Sequence, residues 1–117
     1  MPDRYRADDM TADSFDIEAM QPQASKASNL LSAMCNETRL LLLCWLVKGE
    51  RSVNELTDLL ESPQSTISQH LSLLRREGFV QARREGQTQY YSLVGDEARA
   101  ILNTLQSLYC EPRTKDA

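Results

Sequence analysis

The stretch from Ser52 to Gly78, SVNELTDLLESPQSTISQHLSLLRREG, decides the fold of this chain. Ser52 and Glu55 have the S-x-x-E spacing of a capping box, which predicts a short helix that begins here and runs to Leu60. Ser62-Pro63 predicts the start of a second helix, because proline is tolerated at the first helical position. Only a three- or four-residue turn is left between the two helices. This arrangement is typical of a helix-turn-helix.

The second of these helices has two contrasting faces. It ends at Gly78, and its inner stripe is formed by Ile67, Leu71 and Leu74 at helical spacing. The opposite face is polar and has no acidic residue before Glu77, a composition that suits base edges and phosphates. For an isolated helix a merely solvated face would be the default interpretation. With the helix-turn-helix around it, we predict groove contacts from Gln64, Ser65, Ser68, Gln69 and His70.

A β-hairpin is predicted directly after this helix. Residues 79–84 and 89–93 are strand-like runs joined by Glu85-Gly86-Gln87-Thr88, which indicates an exposed hairpin tip. Such a hairpin beside a helix-turn-helix is a wing. Its arginines and those that end the preceding helix form a local basic patch that suits phosphates. The predicted phosphate and wing contacts are Arg75, Arg76, Arg83, Arg84 and Gln87.

Helices are also predicted on both sides of this unit. Residues 24–34 have helical apolar spacing, Asn36 can cap a helix whose residues 40–47 are apolar on all sides, and Asp96 can cap a last helix. The predicted fold is mainly α with a β-hairpin wing, a winged helix-turn-helix in the order α-α-α-α-β-β-α. The first and last helices keep apolar stripes, so we predict a homodimer through them. Its predicted interface residues are Leu30, Leu31, Met34, Ile101, Leu105 and Leu108.

Length and charge place limits on the chain. Its 117 residues allow one domain, and the apolar run 40–47 is far shorter than a membrane span. No apolar stretch of signal-peptide type is present near the N-terminus, so we expect a cytoplasmic protein without membrane contact. The net charge of −4 comes from residues 1–20, and the rest of the chain balances to zero. We predict a disordered acidic arm (1–21), one DNA-binding and dimerisation domain (22–111) and a flexible tail (112–117).

Several of these motifs resemble the ArsR/SmtB family of bacterial repressors. They are MCNETRL at 34–40, SVNEL at 52–56, QSTISQHL at 64–71, LRREG at 74–78 and YYSL at 90–93. The likeness extends over about residues 24–110 without an evident gap. It implies a dimeric winged-helix repressor whose recognition helix enters the major groove of double-stranded DNA, and which an inducer releases.

The metal sites of that family have no counterpart in this sequence. The ArsR-type site needs a cysteine pair in the segment that corresponds to residues 52–56, where there is none. The SmtB-type site needs Asp and His on the last helix, where the matching positions are Gly95, Glu97, Leu108 and Glu111. The single histidine, His70, belongs to the recognition helix. We therefore predict no metal and no cofactor.

The cysteines suggest a different signal. Cys35, Cys44 and Cys110 are widely spaced and form no CxxC motif. Cys44 alone would be an inert apolar residue. However, Leu43-Cys44 followed by Leu108-Tyr109-Cys110 resembles the persulfide-responsive subgroup of the family, in which two such cysteines act as a pair within one subunit. The resemblance implies reactive sulfur species as the inducer, with Cys44 and Cys110 as sensor cysteines and no sensor role for Cys35.

Three alternatives stay open at this point. The same fold could respond to general thiol oxidation by closing a plain disulfide, or it could bind DNA with all three cysteines structural. The chain could also be a protein-interaction module that uses its helices. A single histidine and no paired catalytic constellation argue against an enzyme.

Overall fold

The computed structural model describes residues 14–110, which form six helices, a 3-10 turn and a small sheet. The helices are α1 (Ile17–Met20), α2 (Ala24–Met34), α3 (Glu37–Val47), α4 (Val53–Leu60), α5 (Gln64–Arg76) and α6 (Glu97–Tyr109), and the 3-10 turn (Gln21–Gln23) joins α1 to α2. The strands are β1 (Arg51–Ser52), β2 (Val80–Glu85) and β3 (Thr88–Leu93). The predicted winged helix-turn-helix is therefore confirmed, with α4 and α5 as its two helices.

The start of α4 confirms the predicted capping box. The backbone N–H of Glu55 donates to Oγ of Ser52 at 3.1 Å, and the N–H of Ser52 donates to Oε1 of Glu55 at 2.8 Å. The predicted start of α5 was one residue early. Pro63 is the N-cap, in an extended conformation (φ −59°, ψ 145°), and it supplies no side-chain cap. The helix itself begins at Gln64.

The wing is a three-stranded antiparallel sheet in the order β1-β3-β2. The predicted hairpin is confirmed, with β2 and β3 paired from Val80↔Leu93 to Glu85↔Thr88. Strand β1 was not predicted, because two residues are too few to show an alternating pattern. It pairs with β3 immediately before α4, so the wing is hydrogen-bonded to the start of the helix-turn-helix.

The core lies between α3, α4, α5 and the sheet. Its fully buried side chains are Leu42, Leu43, Leu46, Leu56, Ile67, Leu71 and Leu74. The prediction that α3 is buried on all sides is wrong for this protomer. Leu41 is 44% exposed and Cys44 is exposed, because only the side formed by Leu42, Leu43 and Leu46 faces the core.

Regular structure begins earlier than expected. The sequence predicted no order before Pro22, yet α1 covers Ile17–Met20, and its N-cap Asp16 accepts the N–H of Ala19 at 3.0 Å. A side-chain cap of this kind supplies a start signal that the apolar pattern did not contain. Residues 1–13 of the predicted arm and the predicted tail at 112–117 lie outside the described residues.

Within residues 14–110, no single helix has the length and apolar composition of a membrane span. Only 17–34 and 37–47 taken together meet that test, and the chain bends by 98° between them.

Candidate nucleic-acid interface and thiol cleft

Helix α5 presents the predicted groove residues on its outer face. Gln64, Ser65 and Gln69 are exposed, and Ser68 and His70 are half-buried. The inner stripe of the same helix is fully buried, so its packing determines which face points outward. The outer face offers amide and hydroxyl groups, which can both donate and accept hydrogen bonds. It is suited to reading base edges.

His70 lies at the edge of this surface and contacts Arg39 of α3. The Arg39 Nη1 atom is 3.5 Å from Nδ1 of His70. Partial burial, followed by the charge of Arg39, lowers the pKa of His70 below its ordinary value. The imidazole is therefore neutral at pH 7, and it adds hydrogen-bonding capacity rather than charge to the outer face of α5.

Arg39 is a candidate that sequence reasoning missed. Its Nε donates to the carbonyl of Ala33 at 2.8 Å and its Nη2 to that of Ser32 at 3.4 Å, so it caps the C-terminal end of α2. The same guanidinium thus contacts α2 and α5 from α3. The available signal was the single arginine of α3, which lies in the first turn directly before the apolar run 40–47.

The predicted phosphate contacts form two groups. Arg75, Arg76, Arg84 and Gln87 are exposed. Arg83 differs, because its Nε and Nη2 atoms donate to the two carboxylate oxygens of Glu50 at 2.8 and 2.9 Å. Its Nη1 also donates to Glu85 at 3.3 Å, and the guanidinium lies 4.7 Å from the ring centre of Tyr90. Arg83 lies in the wing, as predicted. Its guanidinium, however, forms ion pairs with Glu50 and Glu85 of the same chain.

The pKa shifts agree with this pairing. The hydrogen bond from Arg83 lowers the pKa of Glu50, and the bonds to Glu50 and Glu85 raise the pKa of Arg83. Glu50 is a second residue that the sequence did not single out, since it is 33 positions away from its partner.

A cleft of about 710 Å³ separates α3 from α6, and it brings the two predicted sensor cysteines together. Cys44 projects from α3, and Cys110 is the C-cap of α6. Arg99 of α6 donates to the carbonyl of Val47 at 3.0 Å, which ties the two helices together at the other end of α6. The walls are mostly apolar, formed among others by Leu40, Trp45, Val47, Leu102, Leu105 and Tyr109.

The electrostatics of Cys44 reflect this setting. Partial burial is the main cause that raises the pKa of its thiol, and the charge of Cys110 raises it further. The second cause accords with the position of both cysteines on the lining of one cleft. At neutral pH Cys44 is therefore a protonated thiol, and the thiolate is the form that reacts.

Cys35 lies apart from this cleft. It is the exposed C-cap residue of α2, and it does not line the space between α3 and α6.

The predicted interface residues differ in how accessible they are. Leu31 and Leu108 are 55% and 45% exposed, whereas Leu30, Ile101 and Leu105 pack partly against the core. Met34 is only 7% exposed. Met34 therefore offers little surface to a partner in this protomer, and its assignment to the dimer interface stays a prediction.

Metal donors are not gathered in the part of the chain that the structure describes. No group of three His, Cys, Asp or Glu side chains there could hold a metal ion. Glu111, one of the positions considered for a zinc site, lies outside that part. Indifference to metals stays a prediction.

The chain is similar in sequence and in structure to known bacterial regulatory proteins. The profile described as "Bacterial regulatory protein, arsR family" matches residues 36–82, which run from the cap of α3 into β2. The transcriptional activator HlyU of Vibrio cholerae is 46% identical over 97 residues, 83% of this chain and 90% of that protein. Reduced HlyU of the same organism superposes with a TM-score of 0.75 at 47% identity, over 80% of this chain and 99% of that one.

Two further solved structures are similar. The transcriptional repressor BigR of Xylella fastidiosa has a TM-score of 0.80 and 36% identity, over 84% of this chain and 100% of that chain. A homodimeric winged helix-turn-helix DNA-binding domain of Mycobacterium bovis, a possible ArsR-family regulator, has a TM-score of 0.67 and 30% identity, over 84% and 89%.

Proposed function

Because this chain belongs to the ArsR family of bacterial regulatory proteins, we propose that it is a transcriptional repressor that binds double-stranded operator DNA as a homodimer. We further propose that reactive sulfur species release it by linking Cys44 to Cys110. The observation that carries the second proposal is that both cysteines line one cleft between α3 and α6.

DNA binding is supported by the outer face of α5. Its exposed amides and hydroxyls can reach base edges, and the exposed arginines near its end and in the wing can reach phosphates. The Mycobacterium bovis neighbour is described as a homodimeric DNA-binding domain. A two-fold dimer requires two half-sites, so we propose a pseudo-palindromic operator.

Two substitutions test the DNA contacts. Gln69→Ala removes a side chain that can pair bidentately with adenine, so it should relax base preference at a cost of about 1–3 kcal/mol. Arg84→Ala should weaken binding to all sequences and reduce the salt dependence. Titration of promoter fragments against random DNA measures both effects. If the wild-type protein prefers no fragment, the groove assignment fails.

The proposed sulfur chemistry needs no oxidant beyond the inducer. Each cysteine takes a sulfane sulfur from a persulfide RSSH and releases the thiol RSH, which leaves a cysteine persulfide. The two persulfides then combine into a trisulfide between Cys44 and Cys110 and release one molecule of hydrogen sulfide. A bridge with an added sulfur atom spans further than a disulfide, which requires Cα atoms within roughly 7 Å.

The bridge would act on DNA binding through α3 and α6. It would fix α6, a proposed dimer helix, against α3, whose Arg39 contacts both α2 and the recognition helix α5. A coupling of about 1–3 kcal/mol is enough for a useful switch.

Mass spectrometry and DNA release together test the signal. Polysulfide should add sulfur mass between Cys44 and Cys110 and release DNA, whereas peroxide should form that link poorly. Cys44→Ser or Cys110→Ser should abolish the response and keep DNA binding, and Cys35→Ser is the matched control that should respond normally. If peroxide and polysulfide give the same disulfide and equal release, the general oxidation switch is the better description. If neither changes DNA binding, the cysteines are structural.

Of the two similar proteins, BigR is described as a repressor and HlyU as an activator. We propose that this chain acts as a repressor. A winged-helix dimer seated on an operator blocks polymerase directly, whereas activation needs a further contact. A promoter–reporter assay tests this choice, and loss of the protein should raise expression from the bound promoter.

A further inference from the structure

The wing contains an ion pair that the DNA contacts proposed above do not account for. Arg83 of β2 and Glu50 form a two-pronged ion pair at 2.8 and 2.9 Å, and the ring of Tyr90 on β3 supports the guanidinium from below. Glu50 directly precedes β1, which in turn precedes α4. The pair therefore connects the outer strand of the wing to the entry of the helix-turn-helix.

We propose that Glu50 and Arg83 form a wing latch, in which Arg83 positions the wing, and that the neighbouring Arg84 is the arginine that contacts phosphate. The proposal rests on the DNA binding proposed above. It makes Arg83 a positioning residue and assigns a function to Glu50.

Carboxylates already engage the guanidinium of Arg83. Both carboxylate oxygens of Glu50 and one of Glu85 accept hydrogen bonds from it, so three of its five N–H donors are used and its charge is paired within the chain. Arg84, in contrast, forms no ion pair within residues 14–110 and is exposed. Of these two arginines, Arg84 is the one whose charge is not already paired with a carboxylate.

The alternation of side chains along β2 separates the two arginines. Neighbouring side chains of a strand point to opposite faces of the sheet, so Arg83 and Arg84 cannot lie against the same surface. Arg83 shares its face with its cross-strand partner Tyr90 and with Glu85. Arg84 lies on the other face of the sheet, which it shares with its cross-strand partner Gln89.

The geometry of the Glu50–Arg83 pair is directional. Isolated surface ion pairs contribute little as a rule, but a bidentate arginine–carboxylate pair is directional. Here stacking on Tyr90 restricts the guanidinium further. The latch therefore restrains the orientation of the wing relative to α4 and α5 more than it adds to overall stability.

Salt-dependent DNA titrations of single and double variants test the latch. Arg83→Ala and Glu50→Gln should each weaken operator binding by about threefold to tenfold. The Arg83→Ala/Glu50→Gln double variant should bind no more weakly than either single variant, because both remove the same interaction. The slope of log K against log salt should stay at the wild-type value in Arg83→Ala. The matched control Arg84→Ala should make that slope less steep by about 1.8, because about 0.9 is lost for each of the two subunits of the bound dimer.

Thermal unfolding of each variant confirms that the compared proteins are folded, and Arg83→Gln serves as a second variant if Arg83→Ala is not. A slope that becomes less steep by about 1.8 in Arg83→Ala would show a phosphate contact in each subunit and overturn the latch. Tighter binding by Glu50→Gln would also overturn it, because Glu50 would then only repel DNA. If the wild-type protein does not bind DNA, the proposed function fails instead, so the two failures are distinguishable.

Discussion

At the residue scale, the cleft keeps the thiol of Cys44 protonated to a higher pH than an ordinary cysteine. Partial burial and the neighbouring Cys110 both raise its pKa, so its alkylation by iodoacetamide should reach half its maximal rate only above the ordinary pH for a cysteine. Mass spectrometry of the labelled Cys44 peptide as a function of pH measures this, in a Cys35→Ser background.

The Cys110→Ser variant separates the two causes. Removing the second thiol should lower the pH midpoint of Cys44 labelling only in part, since burial is the larger cause. A midpoint that rises in this variant, or that already lies below the ordinary value in the parent, would contradict the placement of the two thiols in one cleft.

His70 should make the protein sensitive to acid. Folding lowers its pKa, so its contribution to stability is present above pH 6.5 and is lost as the pH falls through the lowered value. On acidification from pH 7.5 to 5.5, the wild type should lose more stability than His70→Asn does. Urea unfolding at both pH values measures the difference, and equal losses would show that His70 is fully solvated.

At the element scale, the end of α4 stores backbone strain. Its C-cap Glu61 has φ 51° in the left-handed region, which glycine adopts without a steric penalty. Glu61→Gly should stabilise the fold by about 0.5–1 kcal/mol.

The matched control is Glu77, the C-cap of α5, which has φ −80°. Glu77→Gly should destabilise the fold by roughly 0.5–1 kcal/mol. Glycine relieves no strain at this position, and it increases the conformational entropy that the unfolded chain loses on folding. Denaturant unfolding compares the two variants. A destabilised Glu61→Gly would show that the left-handed conformation is not the source of strain.

The elements themselves were predictable where a local signal existed. The capping box at Ser52, the Asn36 cap and the Gly86 turn lie within a few residues of the structure they determine. Strand β1 and the pairs Arg39–His70 and Glu50–Arg83 were not predicted. These pairs join residues 31 and 33 positions apart, and only the folded arrangement of α3, α5 and the wing brings them together.

At the scale of the whole molecule, the first and last elements of the described chain leave large apolar side chains uncovered. Phe15, Ile17 and Leu31 near the start of the chain and Leu108 and Tyr109 at the end of α6 are large apolar side chains that are 45–81% exposed. Large apolar side chains exposed at two elements supply surface of the kind that an interface covers. A second copy that contributes the same two elements would cover it by two-fold symmetry, which supports the proposed homodimer.

Charge placed on that surface should therefore separate the subunits. Leu31→Asp and Leu108→Asp change residues that are 55% and 45% exposed in the protomer, so each should fold while placing a carboxylate in the apolar seam. Sedimentation at micromolar concentration should give a wild-type dimer and variant monomers. The variants should also bind the operator weakly, since each monomer reaches only one half-site.

Leu59→Asp is the matched control for this experiment. Leu59 is 39% exposed, but it lies on α4, away from α2 and α6 in the chain. This variant should remain a dimer, which separates the effect of a buried charge at the seam from that of any new surface charge. Dissociation of Leu59→Asp to the same extent as the seam variants would contradict the proposed interface. A wild-type protein that sediments as a monomer would contradict the proposed dimer. The half-site argument would then fail with it, because a monomer has no two-fold axis to match a palindrome.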